Sequence, residues 1–314
     1  MTQPRPSFSV ISPVYGAASL LPELVERITA TVSAITDDFE ILLVEDHSPD
    51  ESWEVIMSLA AVNPRVKGVS LSRNFGQQNA INAGLDLARG EWIVTLDCDL
   101  QDAPEFISDL YQKALEGYDL VFASRKNRKD PWLKKIASGA FNRVLGYLSE
   151  TDVDPTVANF VLYHHKVVEA MKRMGDYYRY YPMINRWVGF RSAKIEVQHH
   201  ERKDNRRSSY SFRKRVVLAV MTILSFSDKP LRMVMKAGFW MVLAMTVIAV
   251  VLVIRYLVMG TVVSGWLSIF ISIWFLAGIL IMIMGVIGLY LGKIFETVKQ
   301  RPNYIIREQT DGNE

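Results

Sequence analysis

The chain has one cysteine, Cys98, in 314 residues, which excludes an internal disulfide and any cysteine-rich metal site. It has no Gly-x-Gly-x-x-Gly run and no phosphate-loop Gly-Lys-Ser/Thr, so the usual cradles of dinucleotide oxidoreductases and P-loop nucleotidases are missing. Neither sign of charge dominates: 36 Lys and Arg against 33 Asp and Glu leave a net +3, too little to argue for nucleic acid as a partner. No signal peptide is expected, because residues 1–6 are polar and lead directly into an apolar strand. The deepest deficit is local: between Ala237 and Gly292 the only charged side chain is Arg255.

That deficit sets the organisation of the chain. A helix rises about 1.5 Å per residue and the hydrocarbon layer is roughly 30 Å thick, so about twenty apolar residues span it. Residues 234–258 and 266–291 each meet that length, with a short uncharged turn at 259–265 and Arg255 near enough to a helix end to snorkel. Residues 201–236 hold ten Lys or Arg against three acids, and Lys293, Lys299, Arg301 and Arg307 follow the second span. By the positive-inside rule both termini are expected in the cytosol, in a multi-pass protein of the cytoplasmic membrane. Residues 211–226 space Phe212, Val216, Val217, Val220, Ile223 and Leu224 along one side, with Arg213, Lys214 and Arg215 nearby. This suits a helix lying among lipid headgroups, although a soluble core helix would share the pattern. The expected domains are a cytosolic catalytic domain at 1–210, a juxtamembrane region at 211–232, two membrane helices within 233–292 and a cytosolic tail at 293–314. Gly278, Gly285 and Gly292 recur every seven residues, and Gly288 stands four before Gly292. Such spacing lets helices approach closely, either within the hairpin or between subunits of a homo-oligomer such as a tetramer.

Ahead of the membrane segment, strand and helix patterns alternate. Strands are expected at 8–13, 40–44, 66–71, at the run from Trp92 to Leu96 and at 120–123; helices at 20–35, 50–61, 77–88 and 104–115, with Asp50 or Ser52 capping the second. Short connections argue for an α/β domain with a parallel sheet covered on both faces. Polar residues recur where strands end: Tyr15, Asp46, Arg73, Asp97 and Asp99. Open α/β sheets bind ligands at that edge. Asp97 and Asp99, one residue apart, repel each other, an arrangement that makes sense with a hard divalent cation between them and a phosphate, Gln101 adding a neutral oxygen. The alternative is that Asp99 or Asp102 only caps the helix beginning near Pro104. Cys98, between the two acids, is expected to point its small side chain into the core. Beyond Ser124 come a basic loop, 125–129, and an amphipathic helix, 132–148, on which Lys134 and Ser138 share a face. These charges are either a solvated surface or a grip on an anionic substrate. Residues 165–188 read as one or two helices and 191–199 as a strand.

Several motifs together resemble a known family. They are Pro13-Val14-Tyr15, Glu45-Asp46 followed by Ser48-Pro49-Asp50, Ser72-Arg73-Asn74-Phe75-Gly76, Ala83-Gly84-Leu85 and Leu96-Asp97-Cys98-Asp99-Leu100-Gln101-Asp102. The order continues through Arg202, Ser208-Ser209-Tyr210, the run from Phe226 to Arg232, the two apolar spans and Arg301-Pro302 with Tyr304. This set resembles the family 2 nucleotide-sugar glycosyltransferases, in the branch of dolichyl-phosphate mannose synthase and the bacterial undecaprenyl-phosphate glycosyltransferases. The resemblance implies a Rossmann-like GT-A domain that moves a sugar from a nucleotide sugar to a polyprenyl phosphate with inversion, a UDP-hexose such as UDP-glucose being the favoured donor. It implies that Asp97, Asp99 and Gln101 bind Mg²⁺ or Mn²⁺ and, through it, the diphosphate. Pro13, Tyr15, Asp46 and Arg73 are then expected at the nucleotide, and Arg125 at the phosphate of the transferred sugar or of the acceptor. Lys134, Ser138, Arg202, Ser209 and Tyr210 are expected near the acceptor phosphate and the membrane lipids.

The chain departs from the family pattern at three places. Gly16-Ala17 follow the tyrosine where many relatives have Asn-Glu, Glu45 stands where many have Asp, and Asn159-Phe160-Val161 replaces an Asp-Phe-Arg run. An asparagine cannot act as a base, which leaves Asp154 as the nearest carboxylate. A phosphate monoester, with its second pKa at about 6, is already nucleophilic at neutral pH, so a dedicated base is optional. Two other readings have the same fold or none of the chemistry: a polymerising polysaccharide synthase, and a non-catalytic membrane scaffold or nucleotide-sugar sensor. Two spans are too few for a polymer channel, and retention of Asp97, Asp99 and Gln101 speaks against a degenerate site.

Overall fold

Two runs of seven residues, Phe8–Val14 (β1) and Phe39–Glu45 (β2), are buried along their whole length, as strands covered on both faces must be. They pair in parallel, Val10 opposite Ile41, and β2 pairs in parallel with Val66–Leu71 (β3). On its other side β1 pairs in parallel with Trp92–Thr95 (β4), Val10 opposite Val94. The structure is a computed structural model that describes residues 7–125, 157–174, 184–185, 187–197, 227–259 and 265–310. The expected helix at 132–148 with Lys134 and Ser138, Asp154, the interfacial helix at 211–226 and Arg202, Ser209 and Tyr210 all lie outside the described residues, as does the side chain of Arg125.

The helices follow the expected periodicity. Leu21–Ser33 (α1), Ser52–Val62 (α2) and Phe106–Leu115 (α4) bring Leu21, Leu24, Ile28, Trp53, Ile56, Ile107 and Leu110 onto one face of the sheet, against Phe8, Val10, Ile41, Leu43 and Val94. Leu21, Leu24 and Ile28 are fully buried, each worth about 1.5–3 kcal/mol relative to exposure. Gln77–Leu87 (α3) covers the opposite face, where Gly84 lets the helix settle on β1: a Cβ there would stand 2.3 Å from Ile11 Cγ2.

The expectation of a parallel sheet needs correction. Leu120–Arg125 (β5) does not adjoin β4; Val157–His164 (β6) lies between them and pairs antiparallel with both. Ser192–Val197 (β7) pairs in parallel with β5, and Ile306–Gln309 (β8) pairs antiparallel with β3 at the far edge. The eight-stranded order is β7-β5-β6-β4-β1-β2-β3-β8, a mixed sheet. His165–Lys172 (α5) follows β6. The residues after the second apolar span are therefore more than a tail. Ser72 donates its N–H to Ile305 O at 2.9 Å, Thr310 donates to Gly68 O at 3.0 Å, and Tyr304 Oη donates to Asp86 Oδ2 at 2.9 Å.

Lys229–Met259 (α6) and Trp266–Val298 (α7) belong to a second unit, distinct from the one that holds the sheet. Both are long and apolar enough to cross a membrane, over 229–248 and 272–298. Large apolar side chains such as Phe239, Trp240, Trp274, Phe275 and Met284 lie exposed along them. Tyr290 Oη on α7 donates to Ser227 O, just ahead of α6, at 2.8 Å. A Cβ built on Gly278, Gly285, Gly288 or Gly292 meets nothing within 4 Å, so within the described hairpin these glycines are not where the helices touch.

Candidate active site

The loops that leave β1 and β2 are laced together. Ser48 Oγ accepts the N–H of Gly16 at 3.2 Å, Ser52 Oγ that of Ala17 at 3.2 Å and Asp50 Oδ2 that of Ala18 at 3.1 Å. Ser52 Oγ in turn donates to Asp50 Oδ1 at 2.6 Å. Burial pushes the Asp50 carboxyl up, but the Ser52 hydroxyl and the Ala18 and Ser52 N–H groups outweigh it and hold the group below its ordinary value. Neither Asp50 nor Ser52 is the N-cap of α2; that place falls to Glu51, which makes no side-chain capping bond. Gly16 has φ +64°, in the region glycine enters at no steric cost.

The adjacent acids at the end of β2 have separate tasks. Glu45 is buried and accepts the Ser48 N–H and, at 2.7 Å, the Ser70 hydroxyl. Asp46 turns toward the loop after β3 and accepts the N–H groups of Phe75 at 2.7 Å and Gly76 at 2.8 Å. Burial raises the Asp46 carboxyl above its ordinary value, against the pull of those two N–H groups. The loop so fastened carries Arg73, whose guanidinium lies 4.4 Å from the centre of the Phe75 ring. Tyr15 is 55% exposed at the same edge, whereas Pro13 is buried within β1 opposite Val44 and shapes the edge from inside the sheet.

After β4, Leu96 N–H still bonds Ile11 O at 3.0 Å, and the chain then turns. Asp99 Oδ1 accepts the N–H of Gln101 at 3.2 Å across Leu100, which is left-handed at φ +56°. This side-chain turn answers the capping alternative: the N-cap of α4 is Glu105 and no side chain caps that helix. Asp97 Oδ1 accepts from Gln77 Nε2 at 2.7 Å and, at the longer 3.4 Å, from Asn159 Nδ2 on β6. Packing around the Cys98 sulfur desolvates it and, helped by Asp97 and Asp99, pushes the thiol up to about 12, so it stays protonated and inert.

Tyr15, Asp46, Arg73, Asp97, Asp99 and Gln101 thus stand on loops at the carboxyl ends of β1 to β4. Arg125 closes β5 opposite Val197. Gln77 was not legible as a site residue, although it is the first residue of the helix that the Ser72–Gly76 motif opens. Among the described residues no three His, Cys, Asp or Glu side chains converge on a metal position. Asp97 and Asp99 supply hard carboxylate oxygens and Gln101 a neutral one. Mg²⁺ and Mn²⁺ take one or two carboxylates and complete their shell with phosphate and water, so the residues fit such an ion.

The sequence matches the model of Glycosyl transferase family 2 over residues 9–170. It is 34% identical over 304 residues to the uncharacterised glycosyltransferase YkcC of Bacillus subtilis (strain 168), covering 96% of this chain and 93% of that protein. It is 32% identical over 303 residues to undecaprenyl-phosphate 4-deoxy-4-formamido-L-arabinose transferase of Proteus mirabilis (strain HI4320), again covering 96% and 93%. Among solved structures it is similar to a mannosyltransferase of Pyrobaculum calidifontis in complex with GDP-Man and Mn²⁺, with TM-score 0.51 and 20% identity over 73% of this chain and 65% of that one. At that identity the likeness is one of fold.

Proposed function

Because the chain belongs to glycosyl transferase family 2, we propose that it transfers a sugar from a UDP- or GDP-sugar to a polyprenyl phosphate at the cytosolic face of a membrane, with inversion. The mixed sheet with helices on both faces is the Rossmann-like GT-A fold of that family. The observation that carries the reading is one of composition at two scales. A pair of carboxylates on the loop after β4 shares a chain with two helices of membrane length, α6 and α7, and the Proteus mirabilis relative, named for undecaprenyl phosphate, matches across both parts. An isoprenoid tail cannot leave the bilayer, so an enzyme that uses such an acceptor benefits from an anchor of its own.

In this reading Tyr15, Asp46 and Arg73 surround the base and ribose, with Pro13 setting the edge beneath them. Asp97 and Asp99, with Gln101, hold the cation that meets the diphosphate. When bound, the cation neutralises charge on the departing nucleoside diphosphate. Arg125 serves the phosphate of donor or acceptor, and Lys134, Ser138, Arg202, Ser209 and Tyr210 the acceptor side. The acceptor phosphate supplies the nucleophile already deprotonated, which is why Asn159 can stand where a carboxylate is found in relatives. The product would be a polyprenyl-phosphate sugar for cell-envelope glycan or lipid modification.

Membranes containing the protein, given undecaprenyl phosphate and a panel of radiolabelled UDP- and GDP-sugars, should move label into the organic phase with one donor, and EDTA should stop it. No organic-soluble product with any donor would remove the proposal.

A further inference from the structure

Asp97 is gripped from two sides at one oxygen. Gln77, on α3, and Asn159, on β6, both present amide N–H groups to Oδ1, at 2.7 and 3.4 Å. A carboxylate only accepts, so both amides must face it with nitrogen rather than oxygen. Both donors are neutral: they fix the direction of the carboxylate without supplying a positive charge that would displace a cation.

Asn159 is itself tied into the sheet. Its backbone carbonyl accepts the hydroxyl of Thr95, the last residue of β4, at 2.7 Å. A carbonyl can only accept, so Thr95 spends its one proton on Asn159.

We propose that Gln77 and Asn159 form an amide clamp that presets Asp97 for the cation-bearing diphosphate, and that Thr95 is a positioning residue acting through Asn159. This rests on the function proposed above and gives Asn159 a task in place of the base it cannot be. Partners that orient a metal-binding side chain are typically worth 10–100-fold in metal affinity.

The test uses the full chain in detergent and reads bound Mn²⁺ by the loss of its free electron-spin-resonance signal, with UDP in one arm and GDP in the other. Gln77→Ala, an exposed change that leaves the core untouched, and Asn159→Ala should each weaken Mn²⁺ binding about tenfold. Thr95→Val, which removes the hydroxyl, should weaken it about threefold to tenfold alone, and add nothing in the Asn159→Ala background, because its path to Asp97 is already cut. Thr95→Ser keeps the hydroxyl and should bind as the unaltered chain does. If the unaltered chain binds Mn²⁺ and Gln77→Ala and Asn159→Ala bind it equally well, the clamp is wrong and the proposed function stands. If Thr95→Val costs its full factor in both backgrounds, Thr95 does not act through Asn159. An unaltered chain that binds no Mn²⁺ with either nucleotide overturns clamp and function together.

Discussion

Glu45 and Asp46 are neighbours of the same chemistry with different surroundings, and strand parity decides which does what. Glu45 faces Ser70 inside the sheet edge, whereas Asp46, one residue on, reaches the loop that carries Arg73. The acid pair was legible in the sequence; the division of labour was not, because it depends on what β3 places opposite. The sequence left Asp99 as either a cation ligand or a helix cap, and the second falls away because no side chain caps α4. Asp99→Ala should lower transfer at least about a hundredfold while far-ultraviolet circular dichroism and membrane insertion stay unchanged; near-normal turnover would defeat its assignment to the cation. Asp50 gives a prediction in pH. Its folded value lies below the unfolded one of about 3.9, so its stabilising effect is complete above that pH and is lost as pH falls through the folded value. The thermal midpoint of the unaltered chain should exceed that of Asp50→Asn at pH 6, and the gap should narrow from pH 4 to pH 3. Asp46 contributes with the opposite sign: its raised value means that ionisation costs stability as pH rises through the carboxylate range.

At the scale of elements, β1 to β5 and α1 to α4 were readable because buried strands present apolar runs and their helices keep a 3.6-residue period. Two strands escaped. β6 reads Val-Ala-Asn-Phe-Val-Leu-Tyr-His and runs straight into α5 with no turn residue between them, so no break marks it off from the helix that follows. β8 reads Ile-Arg-Glu-Gln and is exposed at three of its four positions, a charged edge strand with no hydrophobic signature. Missing β6 hid the most informative neighbour of the acidic loop, since only an antiparallel strand beside β4 brings Asn159 to Asp97. The packing of α3 on β1 yields a direct test. Gly84→Ala would drive a methyl to within 2.3 Å of Ile11 Cγ2, an overpacking that costs about 1–3 kcal/mol and should lower the thermal midpoint by several degrees. An unchanged midpoint would mean that helix and strand are free to separate there.

Across the whole molecule, the apolar hairpin was plain from charge depletion alone, and its helices extend beyond the expected 234–258 and 266–291, to 229–259 and 266–298. What composition could not reveal is that the chain returns to the sheet afterward, because the return rests on backbone pairing. Ending the chain at Gln300 removes β8, the Thr310 bonds to Gly68 and the Tyr304 bond to Asp86. Each lost hydrogen bond is worth about 0.5–1.5 kcal/mol, and the open edge of β3 becomes free to pair with other chains. That truncation should melt earlier than the full chain and be cut faster by protease within residues 66–71; equal resistance would show that β8 is dispensable. Gly68 sits where this return closes, since a Cβ there would stand 2.4 Å from Ile56 Cγ2 and 2.8 Å from Thr310 Cγ2. The two apolar helices are therefore inserted in the chain between strands of one sheet rather than placed after the last of them. A water-soluble version for crystallisation or screening should be built by excision, bridging a point ahead of residue 227 to Arg301 with a flexible linker, because a stop codon placed before the hairpin would discard one border of the sheet along with the anchor.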